Sequence, residues 1–294
     1  MYDPLAHYYE EIFPVSENQI QFVLSSLRKA IPARPERHGD GRATATGVPL
    51  RLLDVGCAVG DLSAAVVQAC NSGAGIDAAR AASAPGIEVD AIDLNSAMIQ
   101  RAAARHSESI QTGRLRFHRM DMLKIAQKFE PESFDAISCL GNTLVHQPGP
   151  VEIERFLKAS AHILYSGLSG SRTPSGNLIL QLLNYDYLLQ ERPKKLPMID
   201  TEQVRFEREY SYTTGSDIGS KDIRVVFTTR LQVKSTDEVH EDSIELYPLH
   251  RRELETLLES AGFGQPKVYG SFDGSPLKAD SFPLIAVANL QTWK

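Results

Sequence analysis

Long apolar runs are missing from this chain, and no stretch has the length and purity needed to cross a bilayer. Cysteine is scarce. Cys57, Cys70 and Cys139 fit neither a metal-ligand spacing nor a disulfide framework, so no metal is expected. The thiols that fall in apolar strand-turn segments read as reduced and buried. Positive charge is in deficit, with 31 Lys and Arg against 37 Asp and Glu and a net charge of -6. A broad phosphate-binding surface is therefore disfavoured, and neither nucleic acid nor an anionic membrane is expected as a partner. The opening MYDPLAHYYEE is acidic and aromatic, unlike a secretory signal. The expectation is a soluble, cytoplasmic protein. A hydrophobic share of 42% is enough for a real core, and 294 residues allow one large domain or one domain with a substantial insertion.

The run LLDVGCAVGDL from Leu52 reads as a buried strand entering a glycine-punctuated turn that opens a helix. VDAIDLNSAMIQRA from Val89 reads as a second strand that ends in a carboxylate. Together they make a nucleoside-binding crevice. Asp54, Gly56 and Gly60 give D-x-G-x-x-x-G and not the G-x-G-x-x-G of a dinucleotide site. Gly56 and Gly60 are expected where the backbone passes close to a ligand. Further strands are predicted over Phe134–Leu140, Leu115–His118, Leu178–Leu183, Lys267–Gly270 and Leu284–Ala288. Helices are predicted over Leu62–Ala69, Ser96–His106, Val151–Tyr165 and Arg251–Ala261. Alternation of strand and helix predicts a mostly parallel sheet covered on both faces, with an antiparallel last strand.

Residues 1–48 read as N-terminal helices and a flexible linker. Ser16 caps a helix carrying Ile20, Val23, Leu24 and Leu27, and the linker runs over Pro32–Pro49. Asn71–Pro85 and Ser166–Gly176 read as exposed, flexible filler. Gln203–Tyr212, Ile223–Val233 and Val239–Tyr247 alternate apolar and polar residues, as antiparallel strands do. The first pair is joined by a turn around Gly215–Gly219. The division is a core over 49–200, a β-meander lid over 201–248, and the C-terminal part of the core sheet over 249–294.

Candidate binding residues follow from position. Asp93 ends the second strand, where a carboxylate accepts ribose hydroxyls, with Leu94 and Met98 beside it. Asp121, after the third strand, is placed to accept from an adenine amino group, with Met122 against the ring. Asn142 follows Leu140 and Gly141 at the crevice mouth, where an amide orients a nucleophile. His146 is a candidate ligand contact or a loop-ordering group. Tyr8 and Tyr9 are placed to close over the ligand.

The glycine turn resembles motif I of class I S-adenosylmethionine (SAM) methyltransferases, with Ala58 where glycine is common. The order LLDVGCAVG, AIDLN, MDM, CLGNTLVH, LNYDYLL and ELYPLHRRELETLLESAGF, from about residue 50 onward, resembles the glycine N-methyltransferase and glycine/sarcosine methyltransferase group. The resemblance implies the following: an α/β, Rossmann-like class I methyltransferase fold, a mostly parallel seven-stranded sheet with an antiparallel meander inserted, SAM as cofactor, and a small-molecule acceptor. It implies cofactor contacts from Asp54, Gly56, Cys57, Ala58, Gly60, Asp93, Leu94, Met98, Asp121, Met122, Leu140, Asn142, His146 and Tyr9. Asn142 and Tyr185 are the candidate catalytic pair. Arg208, Tyr210 and Tyr247 join them as candidate acceptor contacts, with Arg205 a second possible cation. One departure bears on the acceptor. The glycine enzymes place a carboxylate-binding arginine just before NYDY, and here that residue is Leu183. An amine other than glycine is therefore expected. The rival readings are a SAM-binding sensor or partner subunit without transfer, and a protein or nucleic-acid methyltransferase.

Overall fold

The computed structural model describes residues 4–29, 49–71, 86–166, 176–214 and 223–291. Within these, the sheet strands are β1 (Leu50–Val55), β2 (Ile87–Asp93), β3 (Leu115–Arg119), β4 (Ala136–Cys139) and β5 (Asn177–Leu183). They are completed by β10 (Lys267–Tyr269) and β11 (Pro283–Asn289). Their order is β10-β11-β5-β4-β1-β2-β3. β1 pairs in parallel with both β2 and β4, so strand order reverses beside it. In an open α/β sheet, that reversal opens a crevice at the carboxyl ends of the strands. β11 runs antiparallel to β5 and β10, as expected of a last strand that follows β10 with no helix between them.

The central strands are apolar on both faces because helices cover both. Leu52, Leu53, Ile137, Leu178 and Leu180 are fully or almost fully buried. The main covering helices are α1 (Glu17–Lys29), α2 (Asp61–Asn71), α3 (Ser96–Arg105), α4 (Pro150–Ile163) and, on the C-terminal side, α6 (Arg251–Ser260). At the start of α1, the Gln19 amide donates to Ser16 Oγ and Gln19 Oε1 accepts from the Ser16 amide, a reciprocal cap. Val23, Leu24 and Leu27 are buried, as their spacing predicts. A helix the sequence reading did not anticipate, α5 (Tyr185–Glu191), begins inside NYDY. α2 runs on to Asn71, where the filler was expected to begin. The rest of that filler, most of the Pro32–Pro49 linker and of the 166–176 loop, and the Gly215–Gly219 turn fall outside the described residues.

The insertion forms its own sheet, β6-β7-β8-β9, from β6 (Ile199–Asp200), β7 (Val204–Thr214), β8 (Ile223–Val233) and β9 (Glu238–Leu246). All three pairings are antiparallel. The two-residue β6 was not foreseen, being too short to show any alternation. The N-terminal turns bind the two sheets together. Leu5 and Ile12 pack with Val204, Phe206, Leu231 and Val233 of the meander. Ala6 packs with Val59 and Met98 of the core. Glu10 accepts from Arg101 at 2.7 Å and Arg105 at 3.0 Å, both on α3.

A candidate active site of two joined cavities

Two cavities meet at the carboxyl ends of β1, β2 and β4, the first about 570 Å³ and the second about 530 Å³. Tyr9, Gly56, Ala58, Gly141, Thr143 and His146 belong to both walls.

The first cavity holds most of the residues named for a nucleoside. Asp93, Leu94, Met98, Asp121 and Met122 all line it. Asp93 Oδ2 accepts from the Ala58 amide at 3.0 Å and Oδ1 from the Asn95 amide at 2.8 Å. These bonds tie the glycine turn to the end of β2 and leave the carboxylate facing the cavity without a cation. Burial raises its pKa, and the backbone amides offset part of that. Asp90, on the same strand, is the opposite case. It contacts Arg116, His118 and Arg51, and its pKa is held well below the usual carboxylate range despite burial. One aspartate of the strand is satisfied by the protein, and the other keeps acceptor capacity for a ligand. Asp121 also caps a turn, accepting from the Leu123 amide at 2.9 Å.

The glycine turn divides its duties in a way the spacing does not reveal. Gly56 has φ +73°, and a Cβ there would stand 2.4 Å from Thr143 Cγ2. It is a cradle between two walls of the crevice. Gly60 has φ +78° and lines neither cavity; a Cβ there would stand 2.4 Å from the Phe117 ring. Its smallness serves the packing of α2 on β3. Ala58 takes φ +48°, a left-handed conformation usually left to glycine. Asp54 is buried beneath the turn, accepting from Ser63 Oγ at 2.6 Å and Ser138 Oγ at 2.8 Å. It reaches only the wall of the second cavity, as do Cys57 and Leu140.

The second cavity is walled by the core, the meander and the N-terminal turns. Asn142, Leu183, Arg208 and Tyr210 line it, together with Phe13, Phe206 and Phe227, which sequence reading missed. Asn142 sits at φ +64° directly after Gly141 at φ +67°, and asparagine tolerates that conformation better than most residues. Its Oδ1 accepts from the Leu183 amide at 3.0 Å and its Nδ2 contacts the Tyr185 hydroxyl at 3.1 Å. Tyr185 is buried behind this amide and lines neither cavity. A buried phenol needs a polar partner, and Asn142 is that partner. Tyr185 therefore meets Asn142 from behind the cavity wall. Tyr247 is likewise outside both walls; its hydroxyl donates to Glu253 at 2.6 Å. Arg205 points away from the cavity and pairs with Asp200. His146, at the junction, is held toward its neutral form by burial.

Residues 69–167 match the family model described as a methyltransferase domain. A ubiquinone biosynthesis O-methyltransferase of Alkalilimnicola ehrlichii is 31% identical over 148 residues, 49% of this chain and 51% of that protein. The match spans about half the length of that curated relative. A SAM-dependent methyltransferase from Clostridium acetobutylicum superposes with a TM-score of 0.68 at 15% identity, over 98% of both chains. The fold is that of class I SAM-dependent methyltransferases. The CcbJ methyltransferase from Streptomyces caelestis shares it with a TM-score of 0.65 at 12% identity, over 93% of this chain and 94% of that one. CalS10, an amino pentose methyltransferase from Micromonospora echinaspora seen with SAM bound, gives 0.55 at 17% identity, over 99% and 98%. No helix among the described residues is long and apolar enough to cross a membrane. Nor does any cluster of His, Cys, Asp and Glu among them suit a metal ion.

Proposed function

We propose that this protein is a SAM-dependent methyltransferase acting on a small molecule, an amine larger than glycine. The observation that carries the reading is the pair of joined cavities. One has a carboxylate left open by backbone-only partners. The other carries several aromatic rings, and the glycine turn lies between them. SAM, when bound, supplies a methyl group on a cationic sulfur that is already a strong electrophile. The chain then has to hold, align and keep dry. In this reading Asp93 takes the ribose hydroxyls, Asp121 and Met122 the adenine, and Gly56 admits the methionyl part. Neutral His146 adds no positive charge at the junction, where a cationic sulfur has to sit. Asn142, fixed by Leu183 and Tyr185, orients the acceptor.

The kinship with the glycine N-methyltransferase group belongs to this reading, supported by the CLGNTLVH and NYDY runs. Glycine itself fits poorly. Leu183 stands on the wall of the second cavity where those enzymes place their arginine, and about 530 Å³ is far more space than glycine fills. Calorimetry with SAM, S-adenosylhomocysteine and NAD tests the cofactor, with the first two expected near about 1 μM, roughly -8 kcal/mol. A screen of amine metabolites for S-adenosylhomocysteine release tests the transfer. Binding of NAD in place of SAM would sink the reading. SAM binding without turnover of any amine would leave a sensor.

A further inference from the structure

β7 alternates with the period of a strand. Phe206, Arg208 and Tyr210 face the second cavity, while Arg205, Glu207 and Glu209 project from the other face. Arg208 is the cation of a mixed wall, with Phe13, Phe206, Tyr210 and Phe227 near it and Asp54, Asp61, Asn142 and Gln181 elsewhere on the lining. Its Nη2 donates to the Pro197 carbonyl at 2.8 Å, and its Nε is buried with no partner. The acids of the same wall are engaged elsewhere, Asp54 with Ser63 and Ser138 and Asp61 with Arg105 and His106, and along the meander edge Asp200 pairs with Arg205 and Lys234 and Glu209 with Lys195. A guanidinium stays charged at any physiological pH, so the unmet donor carries a standing cost. The rings of Phe13 and Phe206, each centred 6.0 Å from the guanidinium carbon, hold its plane but accept no conventional hydrogen bond.

We propose that the acceptor carries a carboxylate and that Arg208 binds it, which makes the substrate class an apolar or aromatic organic acid bearing the nucleophilic amine. The planar fork suits a carboxylate, and Leu183 leaves Arg208 as the cation of this wall. This rests on the reading of the second cavity as the acceptor site.

The probes are 3-phenylpropionate and its uncharged amide, titrated calorimetrically into the protein with and without S-adenosylhomocysteine. The acid should bind at least tenfold more tightly than the amide. That gap should close in Arg208→Leu and in Arg208→Gln, with S-adenosylhomocysteine affinity kept within about twofold. Equal affinity for acid and amide, no binding of the acid at millimolar concentration, or a preference that survives both substitutions would overturn the proposal. So would a parallel loss of S-adenosylhomocysteine affinity in variants that melt normally, because Arg208 would then serve the cofactor's own carboxylate. If wild-type protein ignores S-adenosylhomocysteine yet still selects the acid through Arg208, the methyltransferase reading fails and the anion site stands.

Discussion

The two cavities are built on different principles. The first is assembled from strand ends that are neighbours in one parallel sheet, and Asp93 answers to backbone amides of the glycine turn and of its own strand end. The second is assembled largely from the N-terminal turns, β5, β7, β8 and β9, which are far apart along the chain, and most of its rings come from these segments. A site made of local turns fixes what it binds through backbone geometry. A site made of distant side chains can change its ligand by changing single residues without disturbing the sheet. Leu183 and Arg208 are two such positions on the wall of the second cavity.

The sharpest way to break that contrast is at Gly60. If the glycine motif of the first cavity is partly a packing device, Gly60→Ala should unfold easily while its ligand contacts remain. Left-handed strain of about 1–2 kcal/mol adds to overpacking of about 1–3 kcal/mol against Phe117. Thermal unfolding should show a large drop, and Phe117→Leu in the same chain should recover a good part of it. A variant that melts normally but no longer binds S-adenosylhomocysteine would return Gly60 to the ligand.

Asp93→Ala should act on the first cavity alone. It removes an acceptor of charge-assisted hydrogen bonds, and cofactor affinity should fall by about 1.5–3 kcal/mol. Binding of 3-phenylpropionate in the second cavity should persist. Acidification gives a second handle. Burial raises the Asp93 pKa, so its proton returns at a higher pH than for an ordinary aspartate. Cofactor affinity should therefore begin to fall early as pH drops. The sign is reversed for the free protein: an acid whose folded pKa is raised favours the fold at low pH and loses that contribution as pH rises through the folded value. Calorimetric titrations across the acid range separate the two effects.

The smallest effect is expected at Glu10. Its ion pairs with Arg101 and Arg105 are partly exposed, so Glu10→Ala should cost no more than about 1 kcal/mol of stability. Because they latch the N-terminal turns to α3, the dissociation rate of S-adenosylhomocysteine should still rise severalfold in stopped-flow measurements. An unchanged rate would mean that the turns are fixed by Leu5 and Ile12 alone.

This contrast also explains what could be read in advance. Strands β1 to β5, β10 and β11 were legible within a residue or two because each is a short apolar run between turn residues. That Asp93, Asp121 and Asn142 would line a crevice was legible because each stands at or just past a strand end. The two glycines looked alike in sequence. Their φ values are nearly equal, but only the fold shows that one faces Thr143 and the other Phe117. Phe13 and Phe227 carried no signal, since a ring in a half-buried strand or turn packs equally well in a core. Phe206 and Arg208 did carry one. Two positions apart on an alternating strand, they had to share a face, and an arginine on an apolar face is the anomaly. That Tyr185 and Tyr247 lie outside both walls was not legible, because an aromatic near a motif does not reveal whether its hydroxyl faces a cavity or a buried partner.

Tyr9 walls both cavities, and the latch at Glu10 holds it there. The door of one chamber is therefore the partition of the other. It cannot swing away to admit one guest without exposing the room of the second. Two guests that share a wall in this way sense one another, so filling the first chamber should change how tightly the second is filled.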